Sequence, residues 1–174
     1  MLEKHVIYQK MNELSEKISY KFKDIDLLAQ ALYASKLPKE DGIGENNDEL
    51  CNEALSFVGD AILKFLLADY LYSSPTKTHK RKGKMTKEKE GMENNSLLHI
   101  IAEKEGIIAF AYKDDYFQPD APEHDKIPTK EHDPYIEAIT AAIYYDAGID
   151  AVKKWFDQWL LPMIKKHKNS CPKS

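Results

Sequence analysis

The chain has 174 residues, a formal net charge of −4, 43% hydrophobic and 31% charged residues. That balance suits one soluble domain with a sizeable core and excludes a disordered segment or an undiscriminating polyanion coat. The most apolar stretch, 54–73, carries Asp60, Lys64 and Asp69, too many charges for a membrane span. The N-terminal "MLEKHVIYQKMNEL" shows no secretory signal, and Cys51 and Cys171 are too few for a disulfide framework, which points to an intracellular, cytoplasmic protein.

Helical periodicity dominates and stretches with period two are absent, so the sequence predicts an all-α protein. A single domain spans 1–168, followed by a short tail, 169–174. Residues 3–19 read as an amphipathic helix. "KDIDLLAQALY" (23–33) reads as a short second helix with Asp24 as its N-cap. A polar loop from Pro38 leads to a long helix that is capped by Asn47 or Asp48, runs to about Tyr72 and is apolar nearly all round, as a buried central helix should be. The tract "PTKTHKRKGK" (75–84) holds Lys77, Lys80, Arg81, Lys82 and Lys84 with no acid and reads as a basic loop. Helices over 85–91 and 94–105 follow, the second closed by Gly106. Residues 113–132 are irregular. Asp133 as N-cap and Pro134 at N1 start a helix that stops at Gly148, and a last helix runs from Asp150 past Trp155, Trp159 and Met163.

Four acids stand out within this helical frame. Glu53 and Asp60 are seven residues apart, on one helix face two turns apart, and Asp133 and Glu137 share a face at a spacing of four. Each pair sits among apolar residues: Leu55, Phe57 and Ile62 around the first, Ile136 and Ile139 around the second. Two carboxylates about 4 Å apart repel by roughly 4 kcal/mol at an effective dielectric of 20. A positive charge should therefore stand among them, and Mg²⁺ or Mn²⁺, which prefer oxygen ligands, would serve. Gly59 would let a second helix pass close to Asp60. Each acid taken singly also suits an N-cap or a surface ion pair, and spacing alone does not bring the two helices together.

The segment "NEALSFVGDAIL" (52–63) resembles the signature helix of the ribonuclease III family, N-E-R-L-E-F-L-G-D-A-V-L. The resemblance continues through "YKFKDIDLLAQAL" (20–32), "GKMTKEKEGMENNSLLHIIAEKEGI" (83–107) and "PYIEAITAAIYYDAGIDAVKKWFDQWLLPMI" (134–164), in order. It implies an all-helical endonuclease domain that forms a symmetric homodimer and cuts double-stranded RNA with divalent metal. Phe57 matches the apolar residue that plugs into the partner subunit. The family's metal-binding carboxylates fall on Ser56, Asp60, Pro134 and Glu137, with Glu53 matching a further acid. Two of the four positions are thus degenerate: Ser56 is neutral and Pro134 offers no side-chain ligand. Asp60 and Glu137 remain as metal ligands and catalytic candidates, with Glu53 and Asp133 as candidate substitutes. The double-stranded-RNA-binding domain usual in full-length bacterial members has no counterpart in the chain.

Lys80, Arg81, Lys82 and Lys84, with Lys89 beyond them, are the candidate RNA phosphate contacts. His79, His99, His132 and His167 show no metal-ligand spacing and suit surface or packing roles. Three readings follow: a weak or specialised Mg²⁺- or Mn²⁺-dependent endoribonuclease of structured RNA; a non-catalytic dimer kept for RNA binding or as a ribonucleoprotein scaffold; and a helical protein-interaction dimer without RNA.

Overall fold

The computed structural model describes residues 2–34, 52–73, 82–113, 115–123 and 134–170. Seven helices carry these residues: α1 (Lys4–Lys17), α2 (Ile25–Leu32), α3 (Asn52–Ser73), α4 (Lys82–Met92), α5 (Asn95–Lys104), α6 (Tyr135–Trp155) and α7 (Leu161–His167). The all-α expectation holds. One small departure is a two-residue hairpin in which β1 (Tyr112–Lys113) pairs antiparallel with β2 (Tyr116–Phe117) inside the stretch expected to be irregular. Two residues per strand are too few to write an alternation into the sequence. No described helix is long and apolar enough to cross a membrane.

Local signals place most of the helix ends. The Asp24 side chain accepts from the Asp26 N–H at 3.0 Å and caps α2 as expected. Gly106 closes α5 at φ +68°, where the Ile107 N–H reaches back to the Ala102 carbonyl at 2.7 Å. Gly148, at φ +83°, breaks the backbone inside α6, so the predicted stop is present as a kink. Pro134, expected at the first helical position, instead occupies the N-cap of α6. Asp133, Lys80, Arg81 and the proposed caps Asn47 and Asp48 lie outside the described residues. The basic tract is not wholly a loop, because Lys82 and Lys84 belong to the first turn of α4.

Between α6 and α7, Phe156–Leu160 takes a π-helical turn, closed by the Leu161 N–H on the Phe156 carbonyl. Pro162 follows directly. It has no N–H to continue an α-helical ladder and its ring crowds the carbonyl four residues back, which accounts for the wider turn. The same segment anchors the end of α6. The Trp155 ring stacks on Trp159, and its Nε1 donates to the Ile18 carbonyl at the end of α1 at 3.0 Å.

The core lies around α3 and α6. Leu55, Leu63, Leu66, Leu67 and Leu71 are buried on α3, and every residue from Tyr135 to Ile143 is buried on α6. Asp146, one turn further along α6, accepts from the Tyr20 hydroxyl at 2.7 Å and from the Lys23 and Asp24 N–H groups at 3.0 and 2.8 Å. It thereby fastens α6 to the amino end of α2, where a carboxylate is favoured.

A second clamp gives a pH prediction. Glu105, the C-cap of α5, accepts from Lys166 and His167 of α7, each at 2.7 Å. His167 thus has the packing role expected of it. These two hydrogen bonds hold the Glu105 carboxyl below its usual value of 4.5, with the two charges adding and burial opposing. The resulting stability is complete above pH 4.5 and is lost as pH falls through the lower folded value. Glu105→Gln should cost about 1 kcal/mol at pH 7 and progressively less as pH falls below 4.5. Urea melts of the two proteins should therefore converge on acidification.

Candidate functional site

The site is set by one close approach. A Cβ built on Gly59 would stand 1.7 Å from the Glu137 carbonyl oxygen and 2.5 Å from its carbonyl carbon. Helices α3 and α6 therefore cross in backbone contact, as the glycine suggested. Asp60 follows Gly59 directly, and Glu137 lies on the opposing helix of the crossing, so one seam carries both acids. Glu137 is only 3% exposed, whereas Asp60 is half-exposed at the seam's outer edge.

Asp133 lies outside the described residues, and the other predicted residues that are described do not complete the set. Glu53 is exposed two turns back along α3, about 10 Å away along the axis. The Ser56 hydroxyl donates to the Glu53 carbonyl at 2.8 Å and is turned into its own helix. Pro134 stands at the start of α6 with no side-chain donor or acceptor. Among the described residues, no three His, Cys, Asp or Glu side chains converge as a metal-ligand set.

What the sequence reading missed is the cation. Lys64, one turn along α3, places its ammonium 2.6 Å from Asp60 Oδ2. Its pKa is raised, chiefly by the hydrogen bond and charge of Asp60, with smaller contributions from the charges of Glu93 and Glu137. The direct partner of Lys64 is Asp60, one turn back on the same helix. The spacing of four between Asp60 and Lys64 was visible, but such a spacing ordinarily means a surface ion pair worth a few tenths of a kcal/mol.

Among the described residues, the donor set therefore does not fit a pair of divalent cations. Paired ions about 3.5–4 Å apart bring four positive charges and need several anionic ligands. Here the more exposed of the two retained acids already holds an ammonium, one replaced position is turned inward and the other has no ligand atom.

Two surfaces adjoin the seam. On α4, Lys82, Lys84 and Lys87 are exposed, but Lys89, also expected to contact phosphate, is bound by Glu93. Along the outer side of α3, Phe57 is 81% exposed, Phe65 56% and Tyr72 63%. Exposed Ala61 and half-buried Ala68 lie between them, so positions 57, 61, 65, 68 and 72 form one apolar stripe at helical spacing. Only Phe57 had been singled out from the sequence.

Comparison with known proteins agrees with this architecture. The ribonuclease-III-like family model matches residues 24–164. The chain is 31% identical over 164 residues to ribonuclease 3 of Desulfotalea psychrophila, covering 92% of this chain and 63% of that protein. It is 32% identical over 155 residues to ribonuclease 3 of Pseudothermotoga lettingae, covering 88% and 63%. The chain thus spans a little under two thirds of the length of these relatives. In structure it resembles a nuclease domain of ribonuclease III from Campylobacter jejuni that is flexible in a region involved in dimer formation. That match has a TM-score of 0.66 and 24% identity and covers 90% of this chain and 96% of that one. With a family model matching most of its length and a helix crossing that joins the two most characteristic segments, the chain belongs to the ribonuclease-III-like family.

Proposed function

We propose that this chain is a homodimeric, double-stranded-RNA-binding member of the family in which two-metal cleavage has been lost. The observation that carries the reading is the Lys64 ammonium on Asp60 at 2.6 Å, in a seam where two of the four family ligand positions are Ser56 and Pro134. The family generally depends on divalent metal. The residues that would hold a pair of metals do not fit that task, and no cleavage step is assigned to them. RNA recognition is the part of the family's activity that needs no such site.

Exposed Lys82, Lys84 and Lys87 on α4 supply a positive edge for phosphates. The apolar stripe on α3 supplies a self-complementary face, and pairing two copies across it would double the basic surface along one duplex. A net charge of −4 favours such a local, salt-sensitive contact over coating.

Purified protein incubated with end-labelled RNA duplex in Mg²⁺ or Mn²⁺ tests the reading. Duplex should be retained in a gel shift without new ends, and log affinity should fall with log salt by about 0.7–0.9 per phosphate contacted. Replacing Lys82, Lys84 and Lys87 by alanine should flatten that slope. Cleavage that disappears in Asp60→Asn would replace this reading with that of a weak endoribonuclease. Absence of both binding and cleavage would leave a protein-interaction dimer.

A further inference from the structure

We infer that Lys64 is the resident cation of the carboxylate seam, a tethered ammonium that occupies the place of a divalent metal and keeps metal out. This role of Lys64 rests on the proposed reading of the carboxylate seam and does not depend on whether RNA is bound.

The crossing at Gly59 forces α3 and α6 into backbone contact and brings the Asp60 and Glu137 segments together regardless of what neutralises them. Glu137 is buried. A buried carboxylate beside a second acid is costly unless a positive charge stands near. Lys64 supplies a positive charge at the outer edge of that seam, on Asp60. Its ammonium bonds Asp60 directly from one turn along the same helix, at the level where α6 crosses α3.

A tethered cation competes with a free one on favourable terms. Its local concentration is set by a side chain of fixed length, in the millimolar range or above. A free Mg²⁺ must also shed water that it releases reluctantly. The ammonium further repels any dication approaching Asp60. Loss of two ligands at Ser56 and Pro134 and the presence of Lys64 on a third are then parts of one change: the fold keeps its acid pair and does without the metal.

Melting temperature and Mn²⁺ titration followed by electron paramagnetic resonance test this without any activity assay. The panel is the wild-type protein, Lys64→Arg, Lys64→Ser and the double variant Asp60→Asn/Lys64→Ser. Lys64 is half-exposed, so its substitution leaves the helix able to fold, which circular dichroism checks. Millimolar Mn²⁺ should leave the melting temperature of the wild type and Lys64→Arg unchanged and raise that of Lys64→Ser. Lys64→Ser should bind Mn²⁺ on the order of tenfold more tightly than the wild type, and the double variant should lose the gain. Wild-type protein that binds Mn²⁺ as tightly as Lys64→Ser would overturn the inference. So would a Lys64→Ser protein that does not respond to Mn²⁺, or a double variant that keeps the response. Duplex retention is read separately, so failure here leaves the RNA-binding proposal standing.

Discussion

Gly59→Ala should cost about 4 kcal/mol or more, a large share of the 5–15 kcal/mol that holds a domain of this kind together. The added methyl would stand 1.7 Å from the Glu137 carbonyl oxygen, a main-chain atom in the buried first turn of α6. No rotamer change relieves such a clash. The helices must separate by well over 1 Å, and the separation opens the leucine core on α3 against the buried face of α6. Overpacking that flexible side chains can absorb costs 1–3 kcal/mol; here the expected cost is higher because the neighbour is a main-chain carbonyl. Gly83→Ala is the matched control. A Cβ there meets nothing within 4 Å, and the residue lies exposed in α4. Alanine should stabilise that helix by about 0.5–1 kcal/mol. Guanidinium melts of the two variants should therefore move in opposite directions. A Gly59→Ala protein within 1 kcal/mol of wild type would mean that the crossing does not bring the backbones together.

The contrast between these glycines also marks how far the sequence was legible. Helix ends were readable where a single residue decides them: Asp24 through its side-chain oxygen, Gly106 and Gly148 through a positive φ. The long central helix was readable from apolar residues on most of its faces. The seam was half-legible. Gly59 beside Asp60 suggested a close neighbour, and the family pattern named Glu137 as the other acid. Lys64 was in view at a spacing of four, but its meaning depends on which helix crosses α3 and at what level, and no local signal encodes that. Phe65 was hidden for the same reason, left outside by the packing of everything else. The extent of α4 also escaped a propensity reading, because Gly83 and three nearby lysines look like loop until the chain behind them packs.

Phe57→Glu should convert the protein from dimer to monomer across the micromolar range. Phe57 is 81% exposed on a helix that is otherwise the centre of the core, and Phe65 and Tyr72 continue the same face. Covering one phenyl ring contributes roughly 2 kcal/mol. In a twofold dimer each residue appears twice, so the substitution removes about 4 kcal/mol, close to a thousandfold in dissociation constant. It also sets two new carboxylates into an apolar interface, which adds to the loss. Tyr116→Glu, at an exposed position on the hairpin that is not part of the α3 stripe, should leave assembly unchanged. Sedimentation equilibrium reads the result directly, and circular dichroism should show the same helix content in all three proteins. Because the proposed duplex contact uses two copies of α4, Phe57→Glu should also weaken RNA retention and roughly halve its salt slope, although no basic residue has changed. A wild-type protein that sediments as a monomer would remove the stripe as an interface. A Phe57→Glu monomer that holds duplex with the wild-type slope would show that each copy binds RNA by itself.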